Sequence, residues 1–204
     1  EPISWIVHIA APSTGKAVDK EEAKGSGYVP LSFLREFYTN AYNRLRAILP
    51  EEKTIVFHDG FRCTSWNRFF RESGFKNVAL DTHPYIFAME NFVPFAKPWA
   101  YKLYLSGVMS QIRSAQKDIP VIVGEWCICN KYANNVQSDK EECRRRYREI
   151  GKMQLEGWEE TAGWFYWNYQ LARERTKPMD EDWKESWDFC RCMKHGWLVP
   201  EDMQ

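Results

Sequence analysis

Four short apolar runs limit what this chain can fold into. They are Thr54-Ile55-Val56-Phe57, Asn77 to Leu80, Pro120-Val121-Ile122-Val123 and Trp164 to Tyr169. Runs of this length, rich in β-branched or aromatic residues and closed by polar ones, read as strands buried on both faces. The segments between them have helical spacing. Leu34, Phe37, Tyr38, Ala41, Leu45 and Ile48 predict one inward helix face, stopped by Pro50. Trp66, Phe69 and Phe70 predict a short helix closed by Gly74, and Tyr101, Leu105, Val108 and Ile112 a longer one over 101–116. Ser138-Asp139-Lys140-Glu141 matches a capping box. It opens a helix that carries Cys143, Tyr147 and Ile150 inward.

Strands alternating with helices imply an α/β fold around a mainly parallel sheet. A (β/α)8 barrel and a doubly wound sheet both fit four such strands. No Gly-rich phosphate fingerprint follows any of them, as a doubly wound nucleotide site would require. Upstream, residues 3–10 are apolar and 11–29 read as a polar, Gly/Lys-rich loop. Downstream, Trp183, Trp187 and Trp197 close the chain. No linker or low-complexity tract divides it, so residues 1–204 are expected to form a single domain.

The strand exits carry the chemistry: His58 and Asp59, His83 and Tyr85, Glu125, and Asn168. In a barrel, such carboxyl ends of strands form the active-site face. Glu125 is the sharpest signal. It follows Val121-Ile122-Val123-Gly124 at the end of a strand that must be buried, where an unused carboxylate is costly. The competing reading is a strand-end glutamate held in a salt bridge.

Composition narrows the partners. Lys+Arg and Asp+Glu both number 28, so the formal net charge is zero, and no basic field exists to recruit nucleic acid or an anionic membrane. The four arginines within Cys143–Arg148 read as the wet face of a helix. Ten Trp and ten Tyr serve equally as core or as the lining of a carbohydrate cleft. Six cysteines stand at 63, 127, 129, 143, 190 and 192, and the favoured reading is buried or free thiols. Cys190-x-Cys192 with His195 only loosely fits a zinc site, because the Cys-x2-Cys spacing is missing. No metal or cofactor is expected. No apolar stretch approaches the roughly 20 residues of a membrane span. The chain starts at Glu1-Pro2 without Met, which reads as a piece of a longer polypeptide with any export signal upstream.

Several short motifs, in order, resemble a known family. Gly124-Glu125-Trp126, His83-x-Tyr85 and Gly163-Trp164-Phe165-Tyr166-Trp167 look like the last strands of glycoside hydrolase family 5. Ile55 to Phe61 (IVFHDGF), with Trp66 and Phe69, resembles its exo-β-1,3-glucanase-like branch. So do Trp187-Asp188-Phe189 and Gly196-Trp197-Leu198-Val199-Pro200 at the end.

The resemblance implies a (β/α)8 TIM barrel in which this chain supplies about strands five to eight and the tip of strand four. It also implies a retaining glycosidase acting on β-glucosidic bonds in a β-1,3-glucan or β-glucoside, in an extracellular setting. Such an enzyme needs two carboxyl groups about 5–5.5 Å apart. Glu125 would be the nucleophile. Glu1, whose Glu1-Pro2 matches the end of an Asn-Glu-Pro motif, would be the acid/base. Tyr85 would hydrogen-bond the nucleophile, His83 orient the sugar or carboxylates, Trp167 floor the cleaved sugar, and Phe61 stand at the cleft entrance. Trp66 and Phe69 read better as helix packing. Two alternatives stay open: a family 5 enzyme on another β-glycan such as cellulose or mannan, and a non-catalytic carbohydrate-binding half-barrel. Four strands alone leave open edges, so the N-terminal half-barrel or a second copy is an expected partner.

Overall fold

The strands form because β-branched and aromatic residues fit a pleated sheet, but not all are buried on both faces as expected: Ile55, Phe57, Val121 and Val123 are buried, whereas Val56 and Phe165 are exposed. In the computed structural model, which describes residues 4, 29–90, 96–172 and 182–203 (backbone only at 182 and 183), the elements alternate. Helix α1 (Leu31–Arg46) precedes β1 (Ile55–His58). A 3-10 turn (Cys63–Trp66) and α2 (Asn67–Ser73) lead to β2 (Val78–Thr82). Helices α3 (Ile86–Met89) and α4 (Pro98–Ala115) lead to β3 (Val121–Trp126). Then come α5 (Lys131–Asn134), α6 (Lys140–Trp158), β4 (Trp164–Tyr166), α7 (Asp182–Glu185) and α8 (Phe189–Lys194). The four strands hydrogen-bond in chain order, β1-β2-β3-β4. The expected α/β architecture with a parallel sheet is present.

Two compact units divide the chain. The first comprises 1–82 with 112–121, the second 83–111 with 122–204. In the first, β1 and β2 run parallel, with Ile55 opposite Val78 and His58 opposite Asp81. Leu80 N–H continues the ladder by donating to Pro120 O at 2.9 Å. An aromatic core backs these strands: Tyr38 lies 4.9 Å from Phe57 and 5.3 Å from Trp66, and Phe57 lies 5.6 Å from Phe70. Gly74 closes α2 at φ 67°, a left-handed conformation that glycine adopts without a Cβ penalty.

The first unit also holds a buried polar knot just beyond β1. The Asp59 carboxylate accepts from Phe61 N–H at 2.7 Å and from the Thr82 hydroxyl at 2.9 Å. Trp66 Nε1 donates to Asp59 O at 2.7 Å, and the Tyr38 hydroxyl donates to His58 O at 2.8 Å. Ser4 N–H donates to Gly60 O at 3.1 Å. The knot holds Phe61 at φ 61°, a left-handed conformation uncommon for a bulky residue. Burial pushes the Cys63 thiol up to about 12, with Asp59 adding to the effect. Burial, then Asp59 and Asp81, pushes the Tyr38 hydroxyl up to about 12 as well.

In the second unit, β3 and β4 run parallel, Val123 opposite Trp164 and Trp126 opposite Tyr166, with an irregularity between. Trp126 is fully buried, and its ring meets Trp158 at 6.3 Å, Trp164 at 5.4 Å and Tyr166 at 4.9 Å. Helix α6 approaches closely where its side chains are smallest. A Cβ on Gly151 would come 2.7 Å from Leu198 Cδ2 and 3.3 Å from Ile128 Cγ2.

Three expectations need correction. The α1 face is narrower than its spacing suggested: Leu34 and Tyr38 are buried, whereas Phe37, Leu45 and Ile48 are exposed. Spacing alone cannot say how much of an apolar stripe finds a partner. The α6 cap is Asp139, not Ser138, with its carboxylate accepting from Glu142 N–H at 3.0 Å. A carboxylate at this position also favours the positive end of the helix dipole. Strand β4 stops at Tyr166 instead of reaching Tyr169, because Asn168 turns to bond the segment before α8. The readings for 3–10 and 11–29, Ser4 and Val29 apart, lie outside the described residues.

Candidate active site

Glu125 stands where the sequence placed it, near the end of β3, one residue before the buried Trp126. Its side chain keeps 20% exposure, enough to meet a ligand. Just beyond β2, His83 and Tyr85 flank Pro84. Alternate residues of extended backbone share a side, and both reach the same carboxylate oxygen. The Tyr85 hydroxyl donates to Glu125 Oε2 at 2.8 Å. His83 Nδ1 lies 3.6 Å from Oε2, too long for a hydrogen bond but close enough to act electrostatically. Among the described residues, Oε1 has neither contact. Among the described residues, the carboxylate is therefore gripped at one oxygen only.

Two aromatic residues complete this arrangement. Tyr85 packs against Phe87 at 5.2 Å and Trp187 at 5.5 Å, and those two meet each other at 5.4 Å. Neither was singled out as a site residue from sequence. Trp187 is separated from Tyr85 by about a hundred positions, and Phe87 sits in a one-turn helix with no periodic signal. The only hint was the Trp187-Asp188-Phe189 motif, which identified a chain-closing segment but not its target.

Trp167 is half-exposed, and its N–H donates to Trp126 O at 2.8 Å, tying it to the residue after Glu125. An exposed indole on the chain segment next to a strand-exit carboxylate is a surface on which a sugar's C–H face can lie. Asn168 N–H then donates to Trp187 O at 2.7 Å, and Phe189 N–H donates to Asn168 O at 2.9 Å. Of the other residues expected at the site, Phe61 belongs to the first unit and Glu1 lies outside the described residues.

Behind the site, the Tyr166 hydroxyl gathers three segments. It accepts from Ile128 N–H at 3.1 Å, donates to Ser186 O, and lies 3.3 Å from Cys192 Sγ. Burial, then Cys192 and Cys127, pushes this hydroxyl well above its ordinary value. Burial also raises the Cys127, Cys129 and Cys192 thiols. Neutral buried thiols are poor nucleophiles and poor metal ligands. All six cysteines are unbridged, and Cys190 alone is not buried. His195 is engaged with Glu185 at 2.7 Å and stacks on Trp197. No group of three or more metal-ligating side chains occurs among the described residues, and none of their helices is long and apolar enough to cross a membrane.

A strand-exit carboxylate gripped by a tyrosine, with an exposed tryptophan on the neighbouring segment, is an arrangement suited to a glycosidase. Sequence comparison relates the chain to particular enzymes of that class, the glucan 1,3-beta-glucosidases. A probable glucan 1,3-beta-glucosidase A of Aspergillus terreus is 27% identical over 174 residues, 69% of this chain and 40% of that protein. The glucan 1,3-beta-glucosidase of Blumeria graminis is 26% identical over 208 residues, covering 85% and 45%. That of Candida oleophila is 24% identical over 214 residues, covering 83% and 45%. The chain spans less than half the length of these curated relatives. No family model matches it.

Proposed function

We propose that residues 1–204 are the C-terminal segment of the catalytic domain of a retaining glycoside hydrolase that cleaves β-glucosidic bonds by double displacement. The observation that carries this is the half-gripped, partly exposed carboxylate: Tyr85 holds Glu125 Oε2 at 2.8 Å, and the side chain keeps 20% exposure. Glu125 is the nucleophile. Its Oε1 attacks the anomeric carbon as the glycosidic bond breaks, and the leaving oxygen takes a proton from the acid/base, the role assigned to Glu1. Glu1 then deprotonates water, which displaces Glu125. His83 orients the sugar or the carboxylate, Trp167 floors the sugar that is released, and Phe61 stands at the cleft entrance.

The names of the relatives favour a β-1,3-glucan or a related β-glucoside as substrate. The fold that goes with this reading is a (β/α)8 barrel, to which the chain contributes about strands five to eight and the tip of strand four. β1 and β4 end the strand order among the described residues, and sheet edges of this kind support further pairing there.

The test is incubation of the native polypeptide containing this chain with a 2-deoxy-2-fluoro-β-glucoside carrying a good leaving group. One fluoroglucosyl unit on Glu125, read by intact mass and peptide mapping, is the expected result. Glu125→Gln should abolish turnover while leaving the melting transition in place. Retained turnover in that variant would sink the assignment.

A further inference from the structure

We infer that Trp187 is a positioning residue for Glu125, acting through Tyr85; the inference rests on the proposed role of Glu125. Tyr85 stands at the start of the one-turn helix α3, in extended backbone (φ −98°, ψ 120°). Its backbone does not fix where its hydroxyl points; that depends on what the ring packs against. Phe87 and Trp187 supply those contacts, at 5.2 and 5.5 Å. Phe87 lies only two residues from Tyr85 and moves with it. Trp187 comes from a distant segment, and that segment is rigidly held.

The residues on either side of Trp187 show why. Ser186 and Asp188 are both wholly buried. Ser186 O accepts from the Tyr166 hydroxyl. The Asp188 carboxylate accepts from Arg191 N–H at 3.0 Å and Leu171 N–H at 2.9 Å, and pairs with the Arg191 guanidinium at 3.4 Å. Trp187 O accepts from Asn168 N–H at 2.7 Å. Trp187 is thus a part-buried ring on a fixed frame, and it transmits that frame to Tyr85 through ring contact. The same frame holds Asn168, the neighbour of Trp167. One rigid segment sets both the grip on the nucleophile and the strand end that presents the floor of the sugar site. Such support from behind a site is what keeps reacting groups within the narrow tolerance catalysis demands.

The test compares Trp187→Ala, Trp187→Phe, Tyr85→Phe and the double variant Tyr85→Phe/Trp187→Ala in the native polypeptide, with an aryl β-glucoside. Trp187→Ala is expected to lower kcat by on the order of 10- to 100-fold without raising KM. Trp187→Phe, which keeps a ring against Tyr85, should recover most of that loss. In the Tyr85→Phe background, Trp187→Ala should cost less than about threefold more, because the two act as one unit. Should Trp187→Ala not fold, Trp187→Leu carries the same comparison. Losses that multiply would overturn the inference. So would a raised KM with intact kcat, which would make Trp187 a sugar contact, or a Trp187→Phe variant as poor as Trp187→Ala.

A second readout does not need hydrolysis. With 3-fluorotyrosine at position 85, Glu125→Gln should move the fluorine resonance in the parent chain, and Trp187→Ala should shrink that response. An undiminished response overturns the positioning role. A folded parent that never hydrolyses overturns the proposed activity instead, and the fluorine measurement then decides the positioning role by itself.

Discussion

Removing the Asp59 carboxylate is the sharpest test of how the first unit is held together. Asp59 is 1% exposed, and it accepts from Phe61 N–H at 2.7 Å and the Thr82 hydroxyl at 2.9 Å. In Asp59→Ala both donors lose their acceptor. Leaving a buried donor unsatisfied costs about 1–3 kcal/mol. The full range applies to the buried Thr82, and about 1 kcal/mol, the low end, to the part-exposed Phe61 N–H. The sum is about 2–4 kcal/mol, before counting the left-handed Phe61 that this contact helps to hold. Asp59→Asn behaves differently. Its carbonyl can still accept from Phe61, and its amide can donate to the Thr82 hydroxyl, which turns to accept. The Asn variant should therefore lose less than about 1 kcal/mol. Urea denaturation followed by tryptophan fluorescence reads both differences, since Trp66 donates to Asp59 O. An Ala variant within about 1 kcal/mol of the parent, or an Asn variant as damaged as Ala, would refute the account of the knot.

Three other outcomes follow from the structure. Gly151→Ala should destabilise the chain in a thermal melt, because overpacking costs about 1–3 kcal/mol against about 1 kcal/mol of helix propensity gained; an unchanged or raised melting temperature would mean that Leu198 and Ile128 yield freely. Because the folded values of Cys63 and Tyr38 are raised to about 12, their stabilising contribution is complete below the ordinary values of 9.0 and 10.0 and is lost as pH climbs from there towards 12. Melting temperatures measured from pH 8 to 11 should therefore fall over the upper part of that range, and a flat profile would contradict it. A thiol reagent at pH 8 should label Cys190 quickly and the five buried cysteines only after denaturation; rapid labelling of more than one thiol would show that the burial is wrong.

The parts of this fold legible in the sequence are those written in local runs. Strand β3 was visible because a continuous β-branched run suits a sheltered parallel strand, β1 because its run is apolar even though Val56 is exposed, and α2 because Gly74 punctuates it. The outward turn of Phe37, Leu45 and Ile48 was not legible, since an apolar stripe records that burial is affordable and not that a partner is present. Asp139 displaced Ser138 as cap by one residue, a choice made by the geometry of the preceding turn. At the site, the order His83, Tyr85, Glu125 was readable because each stands at a strand exit. The contact of Tyr85 with Trp187 was not, because nothing in either neighbourhood encodes a meeting across a hundred residues.

If Glu125 is the nucleophile, as proposed, the grip on one of its oxygens would also bias the two halves of a double displacement against each other. A hydrogen bond to a carboxylate is strongest while the group carries its full charge. In the proposed reaction that charge would drain away as Oε1 bonds to the anomeric carbon, so Tyr85's bond to Oε2 would weaken on the way into the glycosyl-enzyme and recover on the way out. It would be a brake on the first step and a spring on the second. Tyr85→Phe should therefore slow release of the sugar more than its capture, leaving covalent intermediate to accumulate as a pre-steady-state burst with a dinitrophenyl glucoside. On this view the residue that steadies the nucleophile serves mainly to let it go.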